Sequence, residues 1–212
     1  MLLSMGTDAK SAPRWVVFAY DIACPRRARL ARVILAPHAG PRQYSVLECR
    51  MHYGWSRDLL AEVASVLSPA EDRLALWWPR DGLRVALQAA GHMTARAHAD
   101  GAECAINRRR CEQLLGGAGN FLISYDVVCP KRAQRLHARV ARGGAMLQKS
   151  VYQWRCPAAV IVRLLESCAP WVQPNDRFWV HPLRRISDLW HLGDAPTSLL
   201  PMATHHWNRA AD

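Results

Sequence analysis

The chain has 212 residues, of which 50% are hydrophobic and 21% are charged, and its formal net charge is +11. This composition excludes a wholly disordered chain, and without a run of 18 apolar residues no membrane-spanning helix is expected. The length suggests one or two domains. The first 13 residues lack the basic start and apolar run of a signal peptide, which predicts a cytoplasmic protein.

The first part of the chain is predicted to alternate between strands and helices. Strands are expected over residues 15–20, 43–51, 73–78 and 83–88, and helices over 26–36 and 55–67. In the first helix, Leu30, Val33 and Ile34 share one face, which we expect to be buried. In the second, Leu59, Leu60, Val63 and Leu67 indicate the buried face.

The sequence then repeats itself. Residues 20–28, YDIACPRRA, return as residues 125–133, YDVVCPKRA, at an offset of 105. The same offset aligns residues 43–46 with 148–151, and Asp72-Arg73 matches Asp176-Arg177 after the loss of one residue. Matches kept in register over such a distance indicate two copies of one structural unit.

The second copy therefore predicts the same elements in the same order. Strands are expected over 121–125, 148–155, 177–181 and 188–192, and helices over 131–142 and 158–169. The order is that of an α+β, ferredoxin-like unit, with a first unit over 14–91 and a second over 120–193. Periodicity does not locate the extra strand of a complete βαββαβ unit. Residues 92–119, including the solvated-loop candidates Arg108, Arg109 and Arg110, are interpreted as a linker, and 194–212 as a C-terminal tail.

The positive charge belongs to the two units. The first unit carries a net charge of +4 and the second +7. Such a charge favours polyanionic partners, nucleic acid before anionic membrane. The excess of 25 arginines over three lysines has a simpler explanation in a GC-rich genome. Seven cysteines without a CxxC pair predict reduced thiols rather than a disulfide framework or a zinc ribbon.

Three motifs carry a resemblance to a known family. A strand ends in Tyr20-Asp21-Ile22, a pair of arginines follows at Arg26-Arg27, and residues 43–49 read QYSVLEC. In this order the motifs resemble CRISPR-associated protein 2, the small ferredoxin-like subunit of the spacer-acquisition machinery of antiviral defence. The resemblance covers about 14–91 and again about 120–193, and it is stronger in the first unit.

The resemblance implies a fused dimer. Members of the family are homodimers, so this single chain would replace the homodimer as two ferredoxin-like units in tandem forming an intramolecular pseudo-dimer. In the family the terminal strand of each subunit joins the sheet of its partner. By resemblance, residues 83–88 would add to the second unit and 188–192 to the first. The implied partners are nucleic acid, either duplex DNA or RNA, and the integrase CRISPR-associated protein 1, with no membrane.

The resemblance also implies a metal site. Asp21 and Asp126 each end the first strand of a unit, and the family assigns this aspartate as a magnesium ligand and catalytic residue. Two carboxylates with waters suit a hydrated Mg²⁺, or Mn²⁺, which would activate water for phosphodiester hydrolysis. The alternative is an aspartate that caps the following loop or helix.

Basic side chains on the two first helices are candidate phosphate contacts, with a solvated helix face as the alternative. They are Arg26, Arg27, Arg29 and Arg32 in the first unit, and Lys131, Arg132, Arg135, Arg139 and Arg142 in the second. Ser45 and Ser150 align with a serine of the family and are candidates for either a phosphate contact or a structural role. The second unit departs from the first at Gln153, which replaces Glu48, so this unit is the one expected to serve mainly as a platform.

Four functions stay open on the sequence. The first is a nucleic-acid-binding subunit of CRISPR spacer acquisition that bridges integrase subunits, and the second is a magnesium-dependent endonuclease; the two are compatible. The third is a toxin-like ribonuclease resembling virulence-associated protein D. The fourth, a small-molecule-binding regulator, is disfavoured by the charge.

Overall fold

The computed structural model describes residues 12–38, 45–96, 102–117, 119–185 and 189–193, together with the backbone of 205–206. The first half of the chain contains six regular elements: β1 (Arg14–Asp21), α1 (Pro25–Leu35), β2 (Val46–Met51), α2 (Tyr53–Ser65), β3 (Arg73–Trp77) and β4 (Arg84–Leu87). They agree with the elements predicted from the sequence within a few residues. Residues 43–44, which were included in the second strand, lie outside the described residues.

The segment interpreted as a linker contains regular structure. It forms β5 (Met93–Arg96), β6 (Glu103–Ile106) and α3 (Arg108–Leu115). Helix α3 begins where the Asn107 side chain accepts a hydrogen bond from the Arg110 backbone N–H at 2.9 Å, so the three arginines expected in a loop form its first turn. Cys111 and Leu115 are buried on its inner face. Residues 93–96 and 102–115 therefore extend the folded structure.

The second half repeats the order of the first and contains a further strand, whose equivalent positions in the first half, 39–43, lie outside the described residues. Its elements are β7 (Asn120–Asp126), α4 (Pro130–Val140), β8 (Gly144–Gln148), β9 (Val151–Arg155), α5 (Ala158–Cys168), β10 (Arg177–Leu183) and β11 (Leu189–Leu192). The strand predicted over 148–155 corresponds to β9 but begins three residues later, at Val151, because the chain reverses at residues 149–150, where β8 ends and pairs antiparallel with β9. The weak β-pattern of β8 has a steric cause: a Cβ at Gly144 would lie 2.2 Å from Nε1 of Trp154.

The two halves exchange their last strands. One sheet has the strand order β12-β11-β3-β1-β2, where β12 is His205–His206, and the other has the order β6-β5-β4-β10-β7-β9-β8. Thus β4 from the first half pairs with β10, and β11 from the second half pairs with β3, which confirms the predicted partners of both strands. Every pairing in the described residues is antiparallel except that of β12 with β11. The fold is therefore α+β with antiparallel sheets.

Three apolar layers hold the structure together. Helices α1 and α2 cover one face of the first sheet, and α3, α4 and α5 cover one face of the second. The remaining faces pack on each other through a core that includes Val17, Ala19, Trp77, Leu122 and Trp179. Because residues from both halves fill this middle layer, the two sheets form one hydrophobic unit. None of the helices in the described residues has the length and apolar character needed to cross a membrane.

The buried face of α1 differs from the prediction. Ala31 and Leu35 are its buried residues, whereas Leu30 and Val33 are 43% and 62% exposed. Ile34 is partly buried against the same core. The prediction was wrong for Leu30 and Val33 because the helix packs through the small side chain of Ala31, which lets the backbone approach the sheet and turns the larger residues outward.

A buried ionic cluster joins strands of both halves, and we call Glu48, Arg84, Arg96 and His181 the Glu48 cluster. The Glu48 carboxylate on β2 accepts hydrogen bonds from Arg84 and from Arg96, the latter at 2.6 and 2.8 Å, and lies 3.0 Å from His181 Nε2. All four side chains are at least 95% buried. Burial and the two guanidinium groups lower the pKa of His181, although Glu48 opposes them, and the Nε2 nitrogen donates a hydrogen bond to the Glu48 carboxylate. In the second half, Gln153 occupies the position equivalent to Glu48, so the cluster occurs once.

Candidate functional site

Asp21 and Asp126 lie on the inner faces of the two sheets, which pack against each other. In β1, Val17 and Ala19 belong to the middle layer, and Asp21 has the same parity along the strand. In β7, Leu122 belongs to that layer and Asp126 has its parity. Asp21 is exposed and Asp126 is half-buried. The pleat therefore places each carboxylate at the rim of the inter-sheet layer.

The end of β1 is in direct contact with the second half. The Gln148 side chain on β8 donates a buried hydrogen bond of 2.7 Å to the carbonyl oxygen of Ala19. Ala19 precedes Asp21 by two residues, so this contact fixes the strand end that carries the carboxylate. The equivalent glutamine of the first half, Gln43, lies outside the described residues.

A second carboxylate holds the loop that follows Asp21. Asp72 accepts hydrogen bonds from the backbone N–H groups of Ala23 at 3.0 Å and Ser68 at 2.9 Å, and from Arg27 Nε at 2.6 Å. Burial alone would raise the pKa of Asp72, but the hydrogen bonds from Arg27 and the backbone outweigh it and lower the pKa. The same contact raises the pKa of Arg27. Asp72 is therefore an ionised anchor for the loop.

The second half contains the same arrangement. Asp176 accepts from the backbone N–H groups of Val128 and Gln173, both at 3.0 Å, and from Arg132 at 2.8 Å. We call these two arrangements the aspartate clamps. The repeat alignment had matched Asp72 with Asp176, but sequence reasoning missed that they bind Arg27 and Arg132. Duplication of both residues was the available signal.

The clamps divide the predicted basic residues into two groups. The guanidinium groups of Arg27 and Arg132 bind buried aspartates, so these residues position the loops after Asp21 and Asp126. The remaining predicted basic residues are exposed, apart from Arg139, which is half-buried with its guanidinium 5.5 Å from the ring centroid of Trp171. The exposed ones are Arg26, Arg29, Arg32, Lys131, Arg135 and Arg142.

Exposed basic side chains lie along α4 and in the turn that follows it. Lys131 and Arg135 are one turn apart on the same face of the helix, and Arg142 lies in the turn after its last residue, Val140. Helix α4 contains no acidic residue. Among the described residues, none of these three side chains has an ion-pair partner. The row is therefore free to meet phosphate groups.

The two predicted serines contribute through their backbone. The carbonyl oxygen of Ser45 accepts a hydrogen bond of 3.0 Å from the Tyr20 N–H, and that of Ser150 accepts one of 3.1 Å from the Tyr125 N–H. Both serines thus fix the ends of β1 and β7, next to the candidate carboxylates.

The described residues contain no group of three or more histidine, cysteine, aspartate or glutamate side chains arranged to hold a metal ion. All seven cysteines have free thiols. Backbone N–H groups at the starts of α1 and α4 lower the pKa of Cys24 and of Cys129. Asp21 and Asp126 therefore belong to no such metal-holding group in the described residues.

Comparison with known proteins finds matches among solved structures only. No family model matches the chain, and no curated protein matches it. Among solved structures, a hypothetical protein, TT1823 from Thermus thermophilus, is 27% identical, and the similarity covers 34% of this chain and 85% of that protein. The TM-score is 0.31, so this similarity carries no argument about fold or function.

Proposed function

We propose that the chain is a nucleic-acid-binding scaffold that resembles CRISPR-associated protein 2, with both units of the family's homodimer fused in tandem. The observation that carries the proposal is the reciprocal exchange of β4 and β11 between the two sheets. In the second unit the strand order β10-β7-β9-β8 is that of a ferredoxin-like sheet. A shared middle layer gives the two units the isologous packing of a dimer.

In this role the chain would act in the cytoplasm as a subunit of spacer acquisition. It would bridge copies of the integrase CRISPR-associated protein 1 and hold duplex DNA. The support for nucleic-acid binding is the row formed by Lys131 and Arg135 on α4 and Arg142 in the turn after it, which carries positive charge without an acidic residue on the helix. Such a row binds the phosphate backbone and positions a duplex without reading its sequence.

Replacing Arg135 with glutamine is expected to weaken duplex DNA binding equally for unrelated sequences, because the arginine binds phosphate rather than a base. The slope of log Kd against log salt concentration should decrease in magnitude by about 0.9 for each phosphate that the variant no longer neutralises. Fluorescence anisotropy over a salt series measures both quantities. Arg109→Gln removes one exposed charge from α3 and serves as the matched control. Equal salt slopes for the two variants would contradict the assignment of the α4 row.

A second candidate function is magnesium-dependent phosphodiester hydrolysis. The observation that favours it is the parity of Asp21 and Asp126, which places both carboxylates at the rim of the inter-sheet layer. Carboxylate oxygens with water are the ligands Mg²⁺ prefers, so the residues fit the ion. When bound, Mg²⁺ or Mn²⁺ would polarise the phosphodiester and lower the pKa of an attacking water. The carboxylates would orient the ion, and the aspartate clamps would hold the loops that follow them.

The double variant Asp21→Asn, Asp126→Asn is expected to lose Mg²⁺-dependent cleavage by at least about a hundredfold, because an amide is a much weaker metal ligand than a carboxylate. Cleavage of labelled duplex DNA and single-stranded RNA, with and without EDTA, provides the measurement. Asp58→Asn removes an exposed carboxylate from α2 and controls for charge. If the double variant retains full activity, these residues are not catalytic and the scaffold function stands alone.

A further inference from the structure

The outward face of α1 is apolar at its centre. Leu30 is 43% exposed and Val33 is 62% exposed, and the helix packs on its sheet through Ala31 and Leu35 instead. In the neighbouring helix α2, which packs against α1, Trp55 is 61% exposed. These are three of the five large apolar side chains exposed in the described residues, and all three lie in the helical layer of the first half.

The second half does not share this feature. At the offset of 105, Leu30 corresponds to Arg135, and Val33 corresponds to Ala138. The equivalent surface of α4 is therefore basic where that of α1 is apolar. Two helices with the same place in the fold present different chemistry, which indicates different partners.

Positive charge surrounds the apolar centre of α1. Arg26, Arg29 and Arg32 are exposed, and none of them has an acidic partner among the described residues. The helix itself contains no aspartate or glutamate. A complementary surface must therefore supply apolar side chains at its centre and negative charge at its margins.

We propose that the outward face of α1 is a docking surface for an acidic amphipathic segment of another protein. Such a helix would place apolar anchors spaced three or four residues apart against Leu30 and Val33, and its carboxylates would pair with Arg26, Arg29 and Arg32. This surface is independent of the nucleic-acid function proposed for α4.

Two other ligands fit the surface less well. A duplex offers phosphates to the arginines but no apolar surface to Leu30 and Val33. These two side chains would then lie against the charged phosphate backbone without an apolar partner. A membrane-bound amphipathic helix inserts a whole apolar face into the lipid, whereas the main apolar face of α1 is already buried on its sheet.

The test uses the full chain and a fluorescein-labelled synthetic helical peptide built from leucine and glutamate. We expect saturable binding that weakens with salt. The double variant Leu30→Ser, Val33→Ser should bind the peptide about tenfold more weakly, and Leu30→Arg with Val33→Ala, which installs the residues of α4, should do the same. Met146→Arg changes an exposed apolar residue on β8 and should leave peptide binding unchanged.

Three results would overturn the proposal. They are absence of peptide binding to the unsubstituted chain, equal binding by the Leu30 and Val33 variants, and binding to anionic phospholipid vesicles that depends on Leu30 and Val33. Duplex binding measured on the same variants should stay unchanged for the serine pair. A loss of duplex binding there would reassign the face to nucleic acid, whereas failure of the Arg135 experiment would leave this proposal intact.

Discussion

Replacing Glu48 with glutamine is expected to lower the free energy of unfolding by about 3–5 kcal/mol. The carboxylate is fully buried, and its two oxygens accept hydrogen bonds from Arg84, Arg96 and His181. Glutamine has nearly the same shape but no charge, so two guanidinium groups would remain buried without their shared counter-ion. Unfolding in urea, followed by tryptophan fluorescence, measures the change.

The Glu48 cluster also predicts how stability depends on pH. Burial alone would raise the pKa of Glu48, but His181, Arg96 and Arg84 outweigh it and hold the pKa at about 2. Because the folded pKa lies below the ordinary value of 4.5, the unfolded chain binds the proton more readily, and acid favours unfolding. The stabilisation is complete above the ordinary value and is lost as the pH falls towards 2. The Glu48→Gln variant should lack this part of the acid dependence.

Glu103→Gln is the matched control for Glu48. Glu103 also pairs with Arg84, at 2.9 Å, but its side chain is partly exposed to water. Its loss should cost less than about 1 kcal/mol. A cost for Glu48→Gln as small as that of Glu103→Gln would show that the buried cluster is not what joins the two halves.

Replacing Asp72 or Asp176 with asparagine is expected to cost about 2–4 kcal/mol of unfolding free energy for each substitution. Each carboxylate accepts hydrogen bonds from two backbone N–H groups and from one arginine, so both of its oxygens act as acceptors. In asparagine an NH₂ group replaces one carboxylate oxygen, so a hydrogen-bond donor would face the N–H groups that now donate to that oxygen. The two clamps lie in different halves and share no partner, so the double variant should lose roughly the sum of the two costs.

Glu71→Gln controls for the first clamp. Glu71 binds the same arginine at 2.6 Å, but its side chain is 60% exposed. Water screens this pair, and we expect a cost below about 1 kcal/mol. Unfolding in urea again provides the measurement. Comparable costs for Glu71→Gln and Asp72→Asn would mean that the clamp stabilises through surface charge rather than by anchoring the loop.

The aspartate clamps bear on the candidate site because they anchor the loops that follow Asp21 and Asp126. The loop anchored by Asp72 follows Asp21, and the loop anchored by Asp176 follows Asp126. A candidate metal site on strand ends needs its neighbouring backbone fixed, since small displacements of a ligand weaken binding. Asp72→Asn is thus expected to disturb the Asp21 strand end as well as global stability.

Local pattern predicted most elements of the fold. The strand around Val17 and the helix around Leu59 were expected because β-branched runs and helical periodicity are signals within a short window. The duplication predicted the elements of the second half from those of the first. Pattern failed at β8, where small residues that accommodate Trp154 weaken the β-signal. The pattern also failed to predict the buried face of α1. The helix has two rows of apolar residues, and only its packing on the sheet selects the row that is buried.

The candidate site was partly predictable for the same reason. Asp21 and Asp126 were identified because duplicated motifs mark equivalent positions. The role of Arg27 was missed because its partner, Asp72, is 45 residues away, and nothing in a local window pairs them. Charge and position on the helix therefore assigned Arg27 to the same group as Arg26, whereas the fold separates them.

The sequence by itself determined that the chain contains two related units, where most of their strands and helices begin and end, and that both are basic. These properties follow from local periodicity, from the repeat and from composition. Only the tertiary structure decided that Glu48 is buried among Arg84, Arg96 and His181, that Arg27 binds Asp72, and that Leu30 faces outward. Each of these depends on contacts between residues distant in sequence, where the free energy of burying a charge or an apolar surface is set by the partners that folding brings together.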